Sequence, residues 1–206
     1  EVVNHGTIEA FASSHGTTDI YTYVSLAGAI GVAQTTGLLE YNNATLDNYG
    51  DINATAISYD ADSWFAGGAG ATGVYQWALD VATVNNFGDI TAHARADVGL
   101  AVADGIFQRG GTDGYINNYA GATITAVAVS ATLDGDVDGI GGRAVTDGTR
   151  MSAASVHQYN GGEIVASSFV APGSEFPSST PALALAYGTY MAASDNSADY
   201  LAELLN

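Results

Sequence analysis

The sequence predicts an all-β chain wound as a right-handed parallel β-helix, and three observations carry that reading. One eleven-residue phrase recurs along the 206 residues, apolar residues inside it alternate with a period of two, and Gly and Asn break the runs at a quasi-regular spacing. The clearest copy is Val84-Asn85-Asn86-Phe87-Gly88-Asp89-Ile90-Thr91-Ala92-His93-Ala94. Residues 2–12 and 46–56 repeat it, and 116–126 and 156–166 do so with an extra residue before the glycine and after it. The shared template is apolar, any, Asn, aromatic, Gly, polar, Ile, any, Ala, any, Ala.

Within the template, Ile90, Ala92 and Ala94 point one way and Asp89, Thr91, His93 and Arg95 the other, as in a strand with one buried face. The glycine before the isoleucine marks a bend, because it tolerates positive φ and close backbone approach. A second phrase fills the other half of each repeat: Gly31-Val32-Ala33-Gln34, Gly73-Val74-Tyr75-Gln76 and Gly105-Ile106-Phe107-Gln108. Weaker forms are Gly148-Thr149-Arg150-Met151 and Gly188-Thr189-Tyr190-Met191.

The polar template positions Asn4, Asn48, Asn86, Asn118 and Gln158 are separated by 44, 38, 32 and 40 residues. A solenoid turn of three short strands takes roughly 18 to 25 residues, so the spacing predicts two turns per repeat. About ten turns at the interstrand distance of about 4.8 Å would make a rod on the order of 50 Å long; one large turn per repeat is the alternative. The chain reads as one solenoid, 1–206, of about five degenerate repeats. Loop excursions are expected at 132–142 and 167–181, the latter holding all three prolines. The tail 197–205 reads as a short helix capped by Ser197, or as a strand or loop. Leu204-Leu205-Asn206 returns to the register of Val2-Val3-Asn4, which predicts uncapped ends that self-associate head to tail.

Composition narrows the function. The formal net charge is −18, with four Arg and no Lys, which excludes nucleic acid and anionic membrane surfaces as partners. Apolar residues make up 47% of the chain, enough to bury a core, and 26 Gly with abundant Ala make that core narrow. Without Cys, nothing depends on redox state. No run of about 18 apolar residues exists to cross a membrane as a helix.

Stacked turns convert the template into columns. Asn4, Asn48, Asn86, Asn118 and Gln158 would form a structural amide ladder at a bend, satisfying backbone groups or each other. His5, Tyr49, Phe87, Tyr119 and Tyr159 would form an aromatic column beside it. With two turns per repeat its rings would lie about 10 Å apart and could not stack. Asp134, Asp136 and Asp138, in Asp134-Gly135-Asp136-Val137-Asp138-Gly139, place carboxylates at alternate positions, as in a calcium loop. Val145 stands where an EF-hand needs its bidentate Glu, so this is either a simpler Ca²⁺ loop or a solvated acidic turn. The four His have no metal-ligand spacing. No nucleophile elbow or phosphate loop is present, which predicts no catalytic residues.

The phrases Asn-aromatic-Gly-Asp-Ile-x-Ala-x-Ala and Gly-Val-Tyr-Gln, taken together, resemble the repeats of bacterial autotransporter passenger regions and related secreted β-helical surface proteins. That resemblance implies export, display at the cell surface or release, and a structural or adhesive role without enzymatic chemistry. Partners would be further copies of the chain, or glycans or proteins on a host or neighbouring cell. A carbohydrate-active β-helix, either a lyase or tailspike-like, is the second reading. It needs acids beside basic residues, for which Arg143 and Arg150 near the Asp134–Asp138 loop are the candidates. An ice-binding solenoid ranks third, because its flat Thr-rich face is missing from the outward positions Glu9, Asn53, Thr91, Thr125 and Val165.

Overall fold

A computed structural model describes residues 1–15, 26–36, 43–59, 68–97, 99–131, 143–171, 183–193 and 201–205. The first turn consists of β1 (Val2–Asn4), β2 (Thr7–His15) and β3 (Leu26–Thr35). The second is β4 (Ala44–Asn48), β5 (Asp51–Tyr59) and β6 (Gly68–Trp77), and the third β7 (Val81–Asn86), β8 (Asp89–Ala96) and β9 (Leu100–Arg109). The fourth is β10 (Asp113–Asn118), β11 (Thr123–Ala131) and β12 (Arg143–Ala153). The fifth is β13 (Ser155–Asn160), β14 (Glu163–Ala171) and β15 (Leu183–Ala193), after which β16 (Leu201–Leu205) opens another turn.

Every strand pairs in parallel with the strand one turn on, giving three sheets: A from β1 to β16, B from β2 to β14, and C from β3 to β15. The chain is thus a β-solenoid with three strands per turn. Asn4 pairs with Asn48 and Asn48 with Asn86, so one repeat makes one turn. This corrects the expectation of two. The strands run up to 11 residues, longer than the short-strand estimate allowed, so three of them and their connections fill one repeat. Six strands in sheet A span about 24 Å, half the expected length. The expected excursion at 167–181 is shortened as well, because β14 continues to Ala171. The tail forms strand β16 at Leu201–Leu205; Ser197 and Asn206 lie outside the described residues.

The interior has two layers. Sheets B and C face each other mainly through alanines: Ala54, Ala56, Ala92, Ala94 and Ala126 from B, with Ala69, Ala71, Ala101 and Ala103 from C. Side chains this small let the two sheets approach closely, which is why the template demands Ala twice. Nearer sheet A the layer is wider and holds Ile52, Ile90, Ile124, Val74, Ile106, Leu46, Val84 and Ile116. Most of these side chains lose all contact with water, each worth about 1.5–3 kcal/mol of transfer free energy.

The glycines are explained by space. Among the described residues, only Gly99 and Gly121 have positive φ. Gly50 and Gly88 are required at the sheet A–B bend because an added Cβ would collide with the carbonyl oxygens of Gly6 and Gly50. The glycine of the second phrase does different work. A Cβ on Gly105 would lie 2.5 Å from Ile124 Cγ2 and would strike the Gly148 carbonyl; Gly73 and Gly148 meet Ile90 and Ile164 at 2.5 Å. At this column sheet C dents inward until its backbone touches the isoleucines of sheet B.

Candidate functional site

The sheet A–B bend carries a continuous amide ladder. Asn4 Nδ2 donates to Asn48 Oδ1 at 2.8 Å, Asn48 to Asn86 at 2.8 Å, Asn86 to Asn118 at 2.8 Å and Asn118 to Asn160 at 2.9 Å. Asn4, Asn86 and Asn118 also donate to the carbonyls of Asp51, Thr123 and Glu163, so the column ties the backbone on both sides of the bend. The fifth member is Asn160, which corrects the assignment of Gln158. Gln158 pairs with Ile116, points inward and is buried, accepting from Thr149 Oγ1 at 3.1 Å. Its Nε2 has no partner. Asn160 stands four positions before Ile164, the same spacing as Asn86 to Ile90, whereas Gln158 stands two positions too early.

The aromatic column stacks, contrary to expectation, because one turn per repeat brings its rings within reach. Ring centroids lie 4.9 Å apart for His5–Tyr49, 4.7 Å for Tyr49–Phe87 and 4.2 Å for Phe87–Tyr119, all near-parallel. Tyr159 pairs with Asn117, two positions out of column, with Gly161 in the column position, and it meets Tyr119 tilted by 55°. Ring faces are therefore spent on each other, while Tyr49 and Phe87 keep their edges exposed. A second amide ladder went unpredicted. Gln108 Nε2 donates to Gln76 Oε1 and Gln76 Nε2 to Gln34 Oε1, both at 2.9 Å, until Met151 interrupts it.

Chemistry of a different kind sits in the dent of sheet C. Asp104 on β9 and Asp147 on β12 are direct strand partners, immediately before Gly105 and Gly148. On a regular strand, residues three apart face opposite sides and lie about 10 Å apart. Here Asp147 Oδ2 is 3.9 Å from Arg150 Nη1. The strand must fold inward at Gly148 to bring them to one face. The outer side of the dent is thus a groove parallel to the rod axis. Asp104 and Asp147 line one wall, and Tyr75, Phe107, Arg150 and Tyr190 line the other.

The aspartates lie deep in this groove, at 8% and 7% exposure. Tyr75 and Phe107 stack at 5.4 Å, and the Arg150 guanidinium lies 5.2 Å from the Phe107 ring centre and 5.8 Å from that of Tyr190. Burial, then the neighbouring Asp147 charge, push the Asp104 carboxyl up to about 6, against the opposing pull of Arg150. Asp147 is raised too, by burial, and again Arg150 opposes the shift. Among the described residues, no donor is hydrogen-bonded to the Asp104 carboxyl. The signal in the sequence was an Asp before the phrase glycine in two successive copies; it was lost among the chain's many acids.

Of the residues singled out from sequence, Arg150 joins this site and Arg143 does not, lying exposed at the start of β12. Asp134, Asp136 and Asp138 lie outside the described residues. Among the described residues no three His, Cys, Asp or Glu side chains converge as a metal site, and no helix is long and apolar enough to cross a membrane. No family model matches the chain, and no curated protein and no solved structure matches it.

Proposed function

We propose that the chain is a non-enzymatic β-solenoid of the bacterial cell surface or extracellular space, a structural or adhesive segment of a display passenger or a subunit of a head-to-tail fibre. The observation that supports this is the repetition of one residue type at one place in turn after turn. Four consecutive Asn–Asn bonds, the Ile and Ala columns and the stacked rings all act between turns, along the rod. Side chains used this way stiffen a rod rather than build one local site. The first turn also exposes Phe11 at 68% and Leu26 at 72%, an apolar surface that a further turn or a second copy would cover. Electron microscopy of the purified chain at several concentrations, with and without Ca²⁺, tests the reading. Filaments of one solenoid's width, lengthening with concentration, are expected of a fibre subunit, and short rods of a passenger segment. Globular particles would refute both.

The buried Asp104–Asp147 pair favours a second reading, a carbohydrate-active β-helix. It moves that alternative away from residues 134–138 and onto sheet C.

A further inference from the structure

We propose that the groove on sheet C is a binding site for an uncharged, hydroxyl-rich saccharide, held between Asp104 and Asp147 on one wall and the aromatic wall of Tyr75, Phe107 and Tyr190 on the other. It rests on the adhesive half of the reading above and names the ligand class.

The argument starts from Asp104. Asp104 is 8% exposed as a residue, stands beside Asp147 on the outer side of the dent, and accepts no hydrogen bond from the described residues. Its oxygens are unpartnered within the described residues yet open to the groove, so they are acceptors that the donors of a ligand can reach, in a setting where burial of the rest of the side chain weakens hydration. Asp147 sits one strand away, at the interstrand spacing of about 4.8 Å, and presents the same chemistry. Two neighbouring carboxyls on one wall suit a ligand with several hydroxyl donors along its length.

Charge selects among such ligands. Arg150 is the one cation facing the pair, and it is already engaged by Asp147 and sandwiched between the rings of Phe107 and Tyr190. It offsets part of the acid charge and leaves little to hold an anion. With two carboxyls in the groove and −18 on the chain, uronic or sulfated sugars are repelled. The opposite wall supplies ring edges, an apolar surface for the C–H side of a sugar ring. A few placed polar groups against such a surface are the usual make-up of a small-molecule site. Tyr190, half-exposed on β15 and paired with Arg150, extends that wall to the next turn, while Tyr187, paired with Asp147, and Thr72, paired with Asp104, continue the acid side in the turns on either side. The groove therefore suits an oligomer lying along the rod.

The test is isothermal titration with neutral hexasaccharides (cello-, manno- and malto-hexaose) and with oligogalacturonate, using the full chain. One neutral series is expected to bind. Asp104→Asn, Asp147→Asn and Phe107→Ala should each weaken it at least about tenfold. Asp89→Asn, an outward carboxylate on sheet B, should leave it unchanged. Loss of Asp104 is expected to keep the fold or stabilise it at neutral pH, so a melting curve separates lost binding from lost structure. Binding by no neutral series, binding of oligogalacturonate instead, or undiminished affinity in the Asp104→Asn, Asp147→Asn double variant would overturn the proposal. None of these outcomes alters filament or rod formation in the microscope, so this site and the surface-rod reading fail separately.

Discussion

Replacing Asp104 with Asn should stabilise the protein at neutral pH, and the size of the effect follows from its surroundings. The folded carboxyl titrates at about 6 against 3.8 for the free group, because burial and Asp147 disfavour its charge. The native state thus holds its proton more tightly than the unfolded chain. Stability is fully present below about pH 4 and is lost as the pH rises through about 6. The difference of about two pKa units corresponds to at most about 3 kcal/mol. Asn keeps the shape, removes the charge and relieves Asp147 of a like-charged neighbour. Urea unfolding followed by far-UV circular dichroism, at intervals from pH 3.5 to 8, measures both proteins. The variant should match the wild type near pH 3.5 and exceed it by about 1–3 kcal/mol at pH 7.5. A variant that is no more stable at pH 7.5, or whose advantage grows on acidification, would refute the buried-pair account.

Three further substitutions probe the columns. Asn86→Ala removes the acceptor of Asn48 and the donor to Asn118 and Thr123, and should cost about 2–4 kcal/mol by denaturant unfolding. Gly105→Ala drives a Cβ into Ile124 and the Gly148 backbone and should lower the melting temperature severely, whereas Gly70→Ala, with nothing within 4 Å, should leave it nearly unchanged. Gln158→Leu places an apolar side chain beside Ile116 and removes an unpaired buried amide nitrogen, so its midpoint should rise by about 1 kcal/mol equivalent despite the lost Thr149 bond.

Much of the fold was legible because a solenoid writes its geometry as repetition. Ile90, Ala92 and Ala94 alternate with Thr91 and His93 in the sequence, and the same residues are buried and half-buried in the folded chain. The Asn column was legible from Asn4 to Asn118 because each copy there has the same length between Asn and Ile or grows only after the Asn. It failed at the fifth copy. There Gln158 and Asn160 both satisfy the pattern, and only hydrogen-bonded register decides which one meets Asn118. Ring stacking failed for a related reason, since the distance between columns depends on how many turns a repeat makes, and that is fixed by strand pairing.

The sequence by itself determined that the chain is all-β, that it winds as a parallel solenoid, and which face of each template strand is buried. Those properties depend on local period and on repetition, both of which are linear. Tertiary structure alone decided the number of turns and the dent in sheet C. The glycine phrase announces a close approach without saying to what. Only when Gly105 and Gly148 press against Ile124 and Ile164 does the strand fold inward, setting Asp104 and Asp147 side by side beneath Arg150 and the rings. Residues 43 apart in the chain become neighbours across one strand spacing, and no local pattern carries that information.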